Sequence, residues 1–156
     1  MDATRPALAL LTAAALALTG CTPTPLPTYD TVRGEAQAAM QRVVDELPAG
    51  LRVDKNPSDK PFGCSGDGVF YTGQWTIETP EGFDGQAFVD ELPEALGEDF
   101  RVEETRLELS YPAVSFIGTG YANSTVDVSV LTREERVVVD LLSTSRCAQP
   151  PATEAP

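Results

Sequence analysis

Residues 124–142 read STVDVSVLTREERVVVDLL. Val126, Val128 and Val130 alternate with polar residues, the polar TREE follows, and a second β-branched run returns. Alternation with a period of two places successive side chains on opposite faces of a pleated strand. A short polar turn between two such runs specifies an antiparallel hairpin. A chain built around that hairpin has one apolar sheet face to bury, so its other elements are constrained to cover it.

Upstream, GVFYTGQWTIE alternates in the same way. Val69, Tyr71, Trp75 and Ile77 share one face, with Thr72, Gln74 and Thr76 opposite. VEETRLELSY places Leu107, Leu109 and Tyr111 on one side, and AVSFIGTGY follows Pro112. The short LRV at 51–53 reads as extended, and DKNPSDKPFG after it as loop, by its Pro, Asn, Asp and Gly content. Helical spacing appears twice. Val32, Ala36, Met40, Val43, Val44 and Leu47 form one stripe over Tyr29–Leu47, started by Thr28 or Asp30 and stopped by Pro48 and Gly50. Asp84 caps a second helix bearing Phe88, Leu92 and Leu96, with Gly97 at its end and a kink expected at Pro93. The pentapeptide VDELP occurs at Val44–Pro48 and Val89–Pro93 without similarity in either flank, and reads as a recurring helix exit rather than a duplication. The expected fold class is α+β, an antiparallel sheet of four to five strands with one or two helices packed on one face.

The N-terminus carries a different signal. MDATRP has one arginine, offset by Asp2, and the apolar run from Ala7 to Leu18 is too short for a membrane-spanning helix, which needs about 20 residues. Its length suits the apolar region of a secretory signal peptide. Leu18-Thr19-Gly20-Cys21 follows, and this resembles the lipobox of bacterial lipoproteins. The resemblance implies a diacylglycerol on the Cys21 thiol and cleavage just before it. Beyond residue 21 the likeness to small lipoproteins of high-GC Gram-positive bacteria is one of composition alone. Residues 1–20 are then a cleaved signal peptide, 21–28 a lipidated cysteine with a Pro/Thr tether, 29–147 one α+β domain and 148–156 a low-complexity, unstructured tail. With Cys21 lipidated, two of the three cysteines remain. Outside the cytoplasmic membrane Cys64 and Cys147 are expected to form a disulfide. Closing so long a loop is worth ~4 kcal/mol in the chain-entropy view.

Composition excludes several chemistries. The chain has 11 basic and 24 acidic residues, a formal net charge of −13, and no histidine. Without histidine there is no Ser-His-Asp or Cys-His catalysis and no His-ligated zinc or haem. The acidic balance repels nucleic-acid phosphate, so no nucleic-acid partner is expected. The acidic pairs Asp45/Glu46, Asp90/Glu91, Glu103/Glu104 and Glu134/Glu135 read as solvated surface, since adjacent residues do not converge on a substrate. DKNPSDK at Asp54–Lys60 resembles a calcium loop only faintly, lacking the required glycine and the bidentate Glu. Asn123–Thr125 reads as a turn. Trp75, Tyr71 and Phe70 are core residues or, as the alternative, a ligand platform.

The expectation is therefore a non-catalytic lipoprotein of the cell envelope, anchored at the extracytoplasmic face of the membrane through Cys21. It takes no cofactor and no metal, and it binds or assembles an envelope protein partner through the sheet face its helices leave open. The alternatives are a small-ligand or cation-binding lipoprotein and, remotely, a carboxylate-based hydrolase.

Overall fold

The computed structural model describes residues 25–57, 60–104 and 108–152. In chain order the elements are α1 (Tyr29–Val44), β1 (Val53–Pro57), β2 (Phe62–Gly63), β3 (Val69–Phe70), β4 (Thr72–Glu78), α2 (Gly85–Leu96), β5 (Arg101–Glu103), β6 (Ala113–Gly118), β7 (Ser124–Arg133) and β8 (Arg136–Thr144). Six strands form one antiparallel sheet in the order β1-β4-β8-β7-β6-β5, and β2 pairs with β3 in a separate two-stranded sheet. The class is α+β as expected, but the sheet is larger than four or five strands. The additional strand is β1, which occupies the segment read as loop. It is an edge strand, bonded on one side only, from Val53↔Ile77 to Pro57↔Gly73. An edge tolerates the lysine and proline that a central strand would not, and both residues discourage pairing with another chain.

The hairpin β7–β8 forms the centre, and its two-residue turn holds Glu134 and Glu135 at φ 50° and 65°. Such mirror-image turns match the right-handed twist of the strands they join. Cross-strand rows run through the sheet. Trp75, Leu141 and Val128 lie in one row, and Ile77, Val139 and Val130 in the next. All six side chains are buried. Helix α1 lies over this face with Val32, Ala36, Ala39, Met40 and Val43, and its N-cap is Thr28, whose hydroxyl accepts from the Thr31 N–H. Regular helix ends at Val44. Short-range bonds from Glu46 N–H to Val43 and from Leu47 N–H to Val44 then tighten the exit ahead of Pro48. Leu47 still reaches the core.

Asp84 caps α2 by accepting from the Gln86 and Ala87 N–H groups. The helix buries Val89, Leu92 and Leu96, while Phe88 is only half-buried and packs on Phe83. It runs through Pro93 and ends at Gly97, whose φ of +67° suits a residue without a Cβ. Gly85 starts the helix directly above Val130, where a Cβ would collide with the valine side chain. Val44–Pro48 ends α1, but Val89–Pro93 lies inside α2, which runs on to Leu96, so the expected recurring helix exit holds for the first VDELP copy and not for the second.

Among the described residues, the expectation of a strand over VEETRLELSY holds for Val102 and Glu103 alone, the end of β5. Leu109 and Tyr111 are exposed, and Leu107 lies outside the described residues. The helices cover β4, β8 and β7 rather than the β5 edge, so the alternating apolar residues there have nothing to bury against. Val102 is exposed for the same reason, although its row partner Phe116 is buried.

Cys64 and Cys147 are bonded, with Cα atoms 6.2 Å apart and a sequence separation of 83. Around them the ordered fold reaches past both expected boundaries. Ala148 is fully buried and exchanges both backbone hydrogen bonds with Val69. Gln149 donates its N–H to Pro27 and its side-chain amide to the Leu26 carbonyl. The expected tail therefore starts too early at 148, and the expected tether ends too late at 28. Backbone pairing of this kind depends little on side-chain identity, which is why composition misplaced both limits.

Candidate functional site

Cys21, the expected lipidation site, lies outside the described residues. The other two cysteines are consumed in the disulfide. The aromatic residues weighed as a ligand platform divide between two places. Tyr71 and Trp75 are buried beneath α1, while Phe70 stacks on Phe62 of β2 with ring centroids 5.6 Å apart. Tyr71 folds over Gly73, where any Cβ would strike its ring, and its hydroxyl accepts from the Gln37 amide at 3.3 Å. The Tyr29 ring meets it edge-on, and burial, followed by the neighbouring Tyr71, raises the Tyr29 phenol above its ordinary value. Lys55 sits over the Trp75 ring at 3.9 Å, closing the β1 side of the core with a cation–π contact.

Three of the acidic pairs converge on no site, and the fourth, Glu103/Glu104, lines the groove described below. Asp45 and Glu46 bond to Gln41 and Arg42 on the last turn of α1, Asp90 accepts from Gln86, and Glu134 and Glu135 form the hairpin turn. Asp54 belongs to β1 and pairs with Arg52 at 2.8 Å instead of opening a calcium loop. Among the described residues no group of three or more His, Cys, Asp or Glu is disposed to hold a metal ion. None of their helices is long and apolar enough to cross a membrane.

Two surfaces remain. The first is the sheet face opposite the helices. Its rows, read across the strands, are Thr72–Thr144–Thr125–Ile117, then Gln74–Leu142–Asp127–Ser115, then Thr76–Asp140–Ser129, then Glu78–Val138–Leu131. Asp140 is the fixed point of this face. One oxygen accepts from Gln74 and the other from Thr76, both at 2.7 Å, and the Arg133 guanidinium lies 3.7 Å away. Arg136 pairs with Glu78 at 3.2 Å. To reach Asp140, Arg133 crosses the row holding Val138, and Val138 is buried although it belongs to no part of the main core. Leu142, 40% exposed, stands uncovered between Gln74 and Asp127.

The second surface is a groove of about 660 Å³ beside the start of β6. Exposed Val102, Leu109 and Tyr111 line it together with Glu103, Glu104 and Asp127. Sequence reasoning missed it, because it exists only where the chain leaves the sheet after Glu103. The alternation through Tyr111 disguised that departure. No family model, no curated protein and no solved structure matches this chain.

Proposed function

We propose that this chain is a non-catalytic lipoprotein of the cell envelope, held at the extracytoplasmic face of the membrane by lipid on Cys21, and that its helix-free sheet face binds a protein partner. The observation that carries the reading is that face itself. Four strands present hydroxyl and amide side chains around the uncovered Leu142, with Asp140 held by two hydrogen-bond donors and the nearby Arg133 charge. Interfaces favour an apolar centre inside a polar rim, and a pre-ordered surface loses little side-chain entropy on binding. With a net charge of −13, a partner presenting a basic patch is favoured both in steering and in register. The lipobox supports the anchor, and the disulfide accords with an oxidising compartment.

Cross-linking of the lipidated protein in intact native cells tests this directly. The expected result is one stoichiometric neighbour, lost with Cys21→Ala, which itself moves the protein into the soluble fraction. Membrane retention of Cys21→Ala would defeat the anchor, and the absence of any specific neighbour would defeat the partner.

The groove favours a second reading, a small-ligand or cation-binding lipoprotein. Its volume lies within the ordinary range for ligand sites, and it combines three exposed apolar side chains with three carboxylates. A thermal-shift screen of small apolar cations and divalent metals distinguishes it. A shift abolished by Glu103→Gln would move the function to the groove, and no shift for any compound would discard this reading.

A further inference from the structure

The structure shortens the tether. Residues 26–28 belong to the fold. The Leu26 and Pro27 carbonyls accept from Gln149, and Thr28 both bridges Gln149 and caps α1. Only the stretch from Cys21 to Pro25 lies between the anchoring thiol and the described domain. The five residue steps from Cys21 to Leu26 span at most ~18 Å even when fully extended. A domain of this size has a radius of gyration of about 14 Å. The spacer is thus shorter than the width of the body it holds, and that body cannot turn its near end away from the bilayer.

That near end carries two exposed apolar side chains. The Leu26 side chain lies against Gly68, whose carbonyl accepts from the Cys64 N–H. Two residues before Cys64, Phe62 stacks on Phe70. Leu26 and Phe62 are 44% and 48% exposed in a region stapled by a disulfide and four backbone bonds. Such stapling makes the end rigid, so these side chains stay presented rather than collapsing inward. Asp67 is exposed on the same loop, Lys60 lies two residues before Phe62, and the chain as a whole is acidic, so the contact rests on the apolar side chains and not on attraction to anionic headgroups.

We infer that this disulfide-laced end rests on the bilayer that carries the anchor, with Leu26 and Phe62 seated in its interfacial zone. The inference rests on the reading that Cys21 is lipidated. The acyl chains bring the end to the surface, and the two apolar side chains fix which way the domain faces. The hairpin turn at Glu134–Glu135 and the β4–α2 turn at Glu81 then point away from the membrane, because β4 carries the chain about 20 Å from the laced end. The helix-free face stands roughly upright, open to a neighbour in the plane of the membrane.

The test uses the full-length protein, lipidated in cells and reconstituted into phosphatidylcholine vesicles with brominated acyl chains. Tryptophan is added at one end by Phe62→Trp or at the other by Glu81→Trp, with the emission of buried Trp75 subtracted from the unsubstituted protein. Both positions are exposed, and circular dichroism with a retained disulfide verifies folding of each variant. The expected result is that the added emission at 62 shifts to the blue and is largely quenched, while that at 81 is unchanged. Phe62→Trp unquenched in protein that still floats with the vesicles would overturn the docking and leave the anchor standing. Equal quenching at both ends would overturn it too, since the domain would then have no fixed orientation. Protein that fails to float would remove the lipidated Cys21 on which the inference rests, and the inference with it.

Discussion

Leu141 and Leu142 are consecutive residues of one strand, and they live in different environments. Leu141 is fully buried between Trp75 and Val128 beneath α1, whereas Leu142 is 40% exposed between Gln74 and Asp127. The same contrast repeats along every central strand. On the helix side valine, leucine, isoleucine and tryptophan predominate, with Ser124 and Ser143 among them, and on the other side threonine, serine, glutamine and aspartate surround Leu142, Val138 and Leu131. One set of backbones thus carries two surfaces with separate duties. The helix-covered face supplies the free energy of folding, and the opposite face, held in place by the first, is available for recognition. If that separation is real, substitutions on the two faces have unequal costs.

The largest difference is expected at the core. Leu141→Ala should lower unfolding free energy by ~2–5 kcal/mol, the usual range for truncating a fully buried leucine. Urea titration of the disulfide-intact domain reads it, and a loss below about 1 kcal/mol would show that the face is looser than its burial implies. Asp140→Ala comes next, and it limits the simple contrast. Removing that carboxylate strands the Gln74 amide and the Thr76 hydroxyl and takes away the ion-pair partner of Arg133. A loss of ~1–2 kcal/mol is expected, because hydrogen bonds to a charged group exceed neutral ones. An unaltered midpoint would mean that the network on this face is ornamental.

The two faces were also unequally legible in the sequence. Val126, Val128 and Val130, the Tyr71–Trp75–Ile77 run and the stripe of α1 were plain, because burial against a neighbour is what creates periodicity. Asp84 and Gly97 announced the ends of α2, since caps need particular side chains or none. β1 was hidden, because an edge strand is selected partly for residues that discourage pairing, and DKNP looks like a turn. The Leu109 and Tyr111 alternation misled for the converse reason, having the period of a strand without a face to cover it. The pairing of Val69 with Ala148 and of Gln149 with Pro27 is backbone chemistry with no side-chain signature at all. Of the candidate surfaces, the polar rows were readable as the complement of the apolar ones. The groove was not, since it depends on where a strand stops.

Ser124 tests the buried face from the opposite direction. Its hydroxyl is fully enclosed and has no hydrogen-bond partner, a polar atom on the wrong side of the sheet. Ser124→Ala removes the desolvated hydroxyl and leaves the backbone ladder with β6 intact. Stability should rise by ~1 kcal/mol, within the range for relieving an unsatisfied buried group. A fall of similar size in the thermal midpoint would mean that an ordered water or a rotated neighbour satisfies the hydroxyl.

The smallest change in stability is expected at Leu142, and it is the most informative about function. Leu142→Ser should shift unfolding free energy by no more than about 0.5 kcal/mol, because the side chain touches no part of the main core. The same substitution removes the apolar centre of the helix-free face, and interface energies concentrate in such central contacts. Cross-linking of the variant in native cells should therefore lose the stoichiometric neighbour while the protein remains folded, anchored and equally abundant. Leu141→Ala would produce loss of the neighbour together with loss of the protein, so abundance separates a folding defect from a recognition defect. If Leu142→Ser leaves the neighbour in place, the partner does not read this face. The exposed cluster of Val102, Leu109 and Tyr111 at the groove then becomes the surface to substitute.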